Sequence, residues 1–218
     1  MISLPIRNGQ SLVLFTDLDG TLIDHHTYSH QQAERALFEI HRRQIPLVFC
    51  SSKTFAEQVH LQRQMGIHAP FIIENGSALV IPKGYFPPQT QPVLPRYKDT
   101  GEHEVFVLAH ADASALHHVL KRFSAVRGFA DLSDAELSSY SGLHGEALKR
   151  ARDRWFTETL VETPEAKHLP LFLNALAASG FTASQGGRFM TIQSGSTDKG
   201  VAMRYLLSIF RRSEEHTL

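Results

Sequence analysis

Two aspartates stand two positions apart in the stretch FTDLDGTLID, Asp17 and Asp19, directly after the apolar run SLVLF and directly before Gly20. In an extended segment alternate side chains share a face, so both carboxylates point the same way unless the backbone turns, and Gly20 permits such a turn. Held that close they repel, and a cation beside them keeps both ionised. Magnesium suits the position, because it takes one or two carboxylates and fills its other positions with water and phosphate oxygens. One aspartate can then attack a phosphoryl group, forming an aspartyl-phosphate that water hydrolyses, while its neighbour handles protons. The plainer alternative is that both acids cap a strand-to-loop transition. A calcium loop fits poorly, since its glycine and terminal glutamate would fall at Leu22 and Tyr28.

Other polar groups follow apolar runs in the same way. IPLVFCSSK brings Ser51, Ser52 and Lys53, and APFIIENG brings Glu74 and Asn75. A serine hydroxyl and backbone N–H just before a helix can bind an anion, and the same residue can serve as an ordinary helix cap. Lys53 reads as solvated, and Asn75 as a turn residue. Lys199, in STDKG, enters the first turn of a helix, where acids are favoured on electrostatic grounds; that mismatch points to function. Gly186 and Gly187 precede Arg188 in a turn that presents a guanidinium suited to bidentate carboxylate or phosphate recognition, unless it is a plain surface arginine. Arg154 and Glu158, in RDRWFTE, read alternatively as an exposed ion pair. The histidine pairs at 25 and 117 show no zinc spacing, and Cys50 reads as a buried strand residue without a histidine partner.

The elements that carry these loops follow from periodicity. SLVLF, IPLVFC and APFII are short apolar runs separated by amphipathic helices, QQAERALFEIHRRQ and KTFAEQVHLQRQMG. That alternation predicts a parallel α/β sheet whose ligands sit beyond the carboxyl ends of the strands, where all three polar loops fall. After Ile81 the stretch PKGYFPPQTQPVLPRY concentrates proline and glycine and marks a domain junction or long excursion. Beyond it HEVFVLA, FTETLVE and RFMTIQSG read as strands, and DASALHHVLKRFSAVRG, LSDAELSSYSGLHGEALKRARD and PEAKHLPLFLNALAASG as helices, the last strand returning to the acidic site. The partition expected is a core of residues 1–82 and 187–218 and an inserted α+β layer of 83–186. STDKGVAMRYLLSIFRR closes as an amphipathic helix with Ser196, Thr197 and Asp198 as candidate caps.

With 218 residues, 22 basic against 22 acidic side chains and 42% hydrophobic content, the chain reads as globular, with no net field to draw it to nucleic acid or a membrane surface. A single cysteine excludes an internal disulfide framework and fits a reducing compartment, and MISLPIRNGQ lacks a signal-peptide core. A cytoplasmic location is the expectation.

FTDLDGTLID resembles the first motif of the haloacid-dehalogenase-like phosphatase superfamily, and VFCSSKT, IIENG, GGRF and DKG, in that order, resemble its mannosyl-3-phosphoglycerate phosphatase family. The resemblance implies a Rossmann-like three-layer α/β core with an inserted type-two cap that closes over the site and selects the substrate. It implies that Asp17 is the nucleophile and a magnesium ligand, and that Asp19 is the general acid/base whose main-chain carbonyl also meets the metal. Ser51, with Ser52, would bind the phosphoryl group, Lys199 would offset charge, and Glu74, Asn75 and Arg188 would contact substrate. Arg154 and Glu158 match the family's cap signature loosely. The implied reaction is magnesium-dependent hydrolysis of mannosyl-3-phosphoglycerate, or a related glycosyl phosphoglycerate, as in mannosylglycerate biosynthesis. A general sugar-phosphate phosphatase and an inactive phosphate-ligand binding protein are the alternatives. The family's acidic fourth motif, G-D-x-x-N-D, has no counterpart after Lys199, where the sequence runs to RRSEEHTL. On the resemblance this implies a C-terminally truncated member with an incomplete metal site.

Overall fold

The computed structural model describes residues 6–7, 10–24, 27–90, 92–186 and 188–215. His25, His26 and Gly187, named above, lie outside the described residues. A short antiparallel ladder of β1 (Ile6–Arg7) and β2 (Gln10–Ser11) precedes β3 (Leu14–Thr16), α1 (Glu34–Arg42), β4 (Leu47–Phe49), α2 (Phe55–Met65) and β5 (Phe71–Ile73). β3 and β4 pair in parallel, and a parallel bridge between Cys50 and Ile72 continues the sheet to β5. β6 (Ala78–Pro82), β7 (Arg96–Asp99) and β8 (His103–Val107) then extend it by antiparallel pairing, so the order runs β3-β4-β5-β6-β8-β7.

Alternation along these strands decides the layers. Leu47, Phe49, Phe71, Ile73, Ala78, Val80 and Val105 face α1 and α2 through Leu37, Leu61 and Met65. Val48, Ile72, Leu79, Ile81 and Phe106 face the other way, onto Ala202, Leu206, Ile209 and Phe210 of α7 (Lys199–Glu215). The spacing of those four helical residues is one apolar stripe, and all four are at most 1% exposed. A sheet buried on both faces needs apolar residues at nearly every strand position, which is why SLVLF, IPLVF and FII carry no polar alternation.

A second sheet, of order β11-β12-β10-β9, is wholly antiparallel. It comprises β9 (Arg127–Gly128), β10 (Glu158–Glu162), β11 (Phe181–Gly186) and β12 (Phe189–Ser194), with α3 (Ala113–Leu120), α4 (Asp134–Ser141), α5 (Gly145–Arg152) and α6 (Leu169–Ala178) around it. α3 and α6 cover one face through Leu116, Leu120, Phe172 and Leu176, packed on Leu160, Phe181 and Ile192. Leu137 of α4 and Leu148 of α5 pack with Phe129 and Leu132, against Val161 and Phe189.

Two placements correct the partition expected at residues 83 and 186. β8, expected in the inserted layer, pairs with β6 in the first sheet and carries β7 on its other edge, and β12, expected to return to the acidic site, pairs with β10 and β11 in the second. The proline-rich excursion is a loop of the first unit: Phe86 packs edge-on against Phe210 at 4.9 Å, and Val93 donates its N–H to the Tyr205 hydroxyl at 3.0 Å. Proline and glycine report irregular backbone, and a loop laid across a helix has the same composition as a domain linker. The crossings between the two sheets therefore fall at 108–112 and 195–198.

Gly76 is the tightest backbone approach near the strand ends. Its φ is +96°, and a Cβ there would stand 2.3 Å from the carbonyl oxygen of Asp198, just before α7. Gly76→Ala is therefore expected to cost about 2 kcal/mol or more, combining left-handed strain with overpacking. Urea denaturation of the two proteins measures it, and a loss below 0.5 kcal/mol, ~the noise of a surface substitution, would contradict the close approach.

Candidate active site

The acidic stretch leaves β3 and turns at once. The carbonyl of Leu18 accepts N–H groups from Thr21, Leu22 and Ile23, and Gly20, at φ +71°, donates to the Ile23 carbonyl. Leu18 is fully buried, while Asp17 and Asp19 keep side-chain exposures of 46% and 31%. Each carboxylate meets a different lysine. Lys199 Nζ donates to Asp17 Oδ2 at 2.8 Å, and the Leu18 N–H holds Asp17 Oδ1 at 2.8 Å. Lys53 Nζ lies 3.0 Å from Asp19 Oδ1 and 3.5 Å from Glu57, with the Tyr28 ring 5.1 Å away.

Why these lysines arrive here is a matter of local structure. Asp198 Oδ1 accepts the Val201 N–H at 2.7 Å and so caps α7, which leaves the next residue, Lys199, at the helix entrance with its side chain free to reach Asp17. Lys53 is fixed from α2: Thr54 and Glu57 form a reciprocal capping box, and Glu57's other oxygen takes the ammonium. Burial works against the Lys53 charge, but Glu57 and Asp19 outweigh it and hold its pKa above the ordinary lysine value.

Ser51 is completely buried at the end of β4. Its N–H donates to the Ile72 carbonyl at 3.2 Å, and its hydroxyl oxygen accepts the Lys53 N–H at 3.3 Å. Ser52 follows, its carbonyl taking an N–H from Arg154 at 3.2 Å. The loop lies at the start of an 11-residue helix, whose free N–H groups favour an anion. Asn75 sits in the left-handed region at φ 59° and donates its N–H to the Ser51 carbonyl at 3.0 Å, which joins the third polar loop to the second.

Glu74, named above as a substrate contact, sits in the third polar loop. It is fully buried, and its carboxylate accepts the N–H groups of Trp155, Phe156 and Thr157 and the Thr157 hydroxyl, all between 2.7 and 3.0 Å. Burial pushes its pKa up, with Arg154 and these hydrogen bonds pulling back. Arg188 stands apart: it is exposed at the β11–β12 turn, donates to the Ser141 carbonyl at 3.3 Å and lies 5.4 Å from the Phe189 ring. Arg154 and Glu158 make no exposed pair. Arg154 bridges Ser52 and Thr157, and Glu158, 3% exposed at its side chain, accepts from Phe129, Thr159 and His117. The His117 pKa is raised by that hydrogen bond.

The structure thus gathers Asp17, Asp19, Ser51, Ser52, Asn75 and Lys199 at one set of strand ends, adds Lys53 and turns Glu74 inward. Lys53 is the residue that sequence reasoning passed over; its position four residues before Glu57, directly before the capping box, was the available signal. The donor oxygens of Asp17 and Asp19 are hard ligands of the kind magnesium takes, although among the described residues no cluster of three or more His, Cys, Asp or Glu is arranged to hold a metal ion. Also among the described residues, no helix is long and apolar enough to cross a membrane.

A family model described as haloacid dehalogenase-like hydrolase matches residues 14–119. A glucosyl-3-phosphoglycerate/mannosyl-3-phosphoglycerate phosphatase of Methanococcoides burtonii is 34% identical over 204 residues, 92% of this chain and 73% of that protein. A mannosyl-3-phosphoglycerate phosphatase of Pyrococcus horikoshii is 30% identical, over 92% of this chain and 78% of its own. The sucrose-phosphatase of Synechocystis, solved with sucrose and phosphate, has the same fold, with a TM-score of 0.54 at 16% identity over 92% of this chain and 70% of that one.

Cys50 gives a direct check on the packing behind the site. Burial raises its thiol to about 12, and Lys199 only partly offsets this. At pH 8 the thiol stays protonated, so native protein should react with iodoacetamide about 1,000-fold more slowly than unfolded protein. Equal rates, read by mass spectrometry, would contradict the burial.

Proposed function

Because the chain belongs to the haloacid-dehalogenase-like hydrolases and, within them, to the mannosyl-3-phosphoglycerate phosphatase family, we propose that it hydrolyses mannosyl-3-phosphoglycerate or a close glycosyl phosphoglycerate. The products are the glycosylglycerate and phosphate. The observation that carries this is the pairing of Asp17 with Lys199 and Asp19 with Lys53 at the strand ends, in a chain one-third identical to phosphatases of that name.

Asp17 attacks phosphorus along the line of the leaving oxygen. The P–O bond to the glycerate breaks as the Asp17–phosphorus bond forms, and Asp19 gives its proton to the departing alkoxide. Asp19, now a carboxylate, takes a proton from water as that water attacks the aspartyl-phosphate, returning Asp17 and releasing orthophosphate. The Leu18 N–H and Lys199 fix both oxygens of the nucleophile, and Lys199 also offsets charge on the transferring group. The Ser51 hydroxyl and the entrance to α2 receive phosphoryl oxygens. Magnesium, when bound to the Asp17 carboxylate and the Asp19 main-chain carbonyl, supplies charge neutralisation at those oxygens.

Asp17→Asn removes the attacking anion with little change of shape, and is expected to abolish release of phosphate from p-nitrophenyl phosphate. Undiminished turnover with a normal melting transition would sink the assignment of the nucleophile. Wild-type hydrolysis of that ester also separates an enzyme from a phosphate-binding protein, and a panel of phosphosugars then identifies the substrate.

Selectivity is proposed to reside in the second sheet, where Arg188 can meet the glycerate carboxylate. Arg188→Lys keeps the charge and loses the planar fork. Its kcat/KM for mannosyl-3-phosphoglycerate should fall about tenfold or more, with p-nitrophenyl phosphate nearly unaffected. Equal losses on both substrates would remove Arg188 from recognition.

A further inference from the structure

Of the acids at the strand ends, Asp17, Asp19 and Glu74, Glu74 is the one whose carboxylate is closed off from solvent, and its partners form a ring of short links. From the carboxylate, Thr157 Oγ1 leads to Arg154, whose Nη1 lies 2.9 Å from that oxygen and 3.2 Å from the Ser52 carbonyl. From the backbone, the Glu74 N–H donates to the Lys53 carbonyl at 3.1 Å and the Asn75 N–H to the Ser51 carbonyl. A parallel link runs from the Thr54 hydroxyl to the Arg150 carbonyl at 2.7 Å. Loop 51–54, turn 74–76 and segment 154–157 are thereby one hydrogen-bonded body. The same turn abuts Asp198 through Gly76, so the helix that carries Lys199 joins it.

Segment 154–157 runs directly into β10, a middle strand of the second sheet. Three consecutive N–H groups converge on a single side chain there, and no backbone carbonyl competes for them in the contacts of Glu74. A glutamate inside the protein at φ 48° is costly twice over, in backbone conformation and in charge burial, and it stands at the junction of the two sheets.

We propose that Glu74 is a positioning residue: its carboxylate fixes the start of β10, and with it Arg154, against the Ser51–Lys53 loop, so that placement of the second sheet and binding of a phosphoryl group are coupled. The coupling to phosphoryl binding rests on the phosphatase reading above. The tether itself does not.

Trp155, the single tryptophan of the chain, reports on it directly, since its N–H binds Glu74 and its ring stacks on Phe55 at 4.9 Å. Glu74→Gln keeps the shape and turns an amide donor toward donors. In that variant acrylamide should quench Trp155 more strongly and its emission should shift to the red. The kcat for p-nitrophenyl phosphate should fall about tenfold, and the affinity for inorganic phosphate should fall with it. Thr157→Val removes only the hydroxyl of the relay, and should move all readings in the same direction by less. If Glu74→Gln does not fold cooperatively, Thr157→Val decides.

Unchanged quenching and emission overturn the tether, whatever the activity. Altered fluorescence with unchanged kcat and phosphate affinity overturns the positioning role. A wild-type protein that neither hydrolyses the ester nor binds phosphate overturns the phosphatase reading and the coupling together, and altered fluorescence in Glu74→Gln then still supports the tether.

Discussion

The ion pair between Asp17 and Lys199 joins residues 182 positions apart, and the orientation of the Asp17 carboxylate depends on it. Exposed by 46% and 34%, the pair contributes at most about 1 kcal/mol to stability once solvent screening is counted, far less than the apolar faces of the sheet. The fold does not need it. The reaction proposed above does, because a carboxylate that attacks phosphorus must be held in one orientation while remaining open to its substrate. The packing of α7 on the sheet through Ala202, Leu206, Ile209 and Phe210 sets where Lys199 emerges, and the absence of a side chain at Gly76 lets the helix entrance come close enough. Hydrophobic burial supplies the force, and the ion pair is where that force is turned into geometry.

Charge is handled differently at the three acids of the strand ends. Asp17 and Asp19 face lysines and keep part of their surface in water, whereas Glu74 is answered by backbone N–H groups and a hydroxyl inside the protein. A carboxylate in solvent can change partners during a reaction, and one locked by four donors cannot do so without leaving them unsatisfied. The distinction separates groups suited to chemistry from a group suited to holding two sheets in register.

Much of this was legible in the sequence for a plain reason. Strands buried on both faces must be almost wholly apolar, so a sudden acid, serine or asparagine after SLVLF, IPLVF or FII marks a strand end, and parallel topology gathers such ends. Lys199 was legible because a cation at a helix entrance runs against the helix dipole. Lys53 was not, since its burial is created by Tyr28 and Glu57 closing over it, and a lysine before a capping box looks solvated in one dimension. Glu74 was visible as an acid beside a turn, but its partners lie more than 80 residues away, beyond the reach of local pattern. The division of residues between the two sheets misled for a related reason: antiparallel β7 and β8 carry mixed polar composition, with β7 exposed along its length, and nothing local states which sheet they join.

The charges of the site also limit what can enter it. Asp17 faces Lys199, and Asp19 and Glu57 face Lys53; with Asp19 protonated, as the first step of the proposed reaction requires, the two remaining carboxylates balance the two lysines. A phosphate monoester adds close to two further negative charges at neutral pH. The entrances of α2 and α7 offer partial positive charge of roughly half a unit each, which leaves the occupied site well short of neutrality. The positive charge of Arg154 is set against the buried Glu74 carboxylate, to which it is tied through the Thr157 hydroxyl. A dianionic substrate is therefore better held with an added cation, which agrees with the magnesium proposed above. The partly exposed, hard oxygens of Asp17 and Asp19 are of the kind such an ion takes.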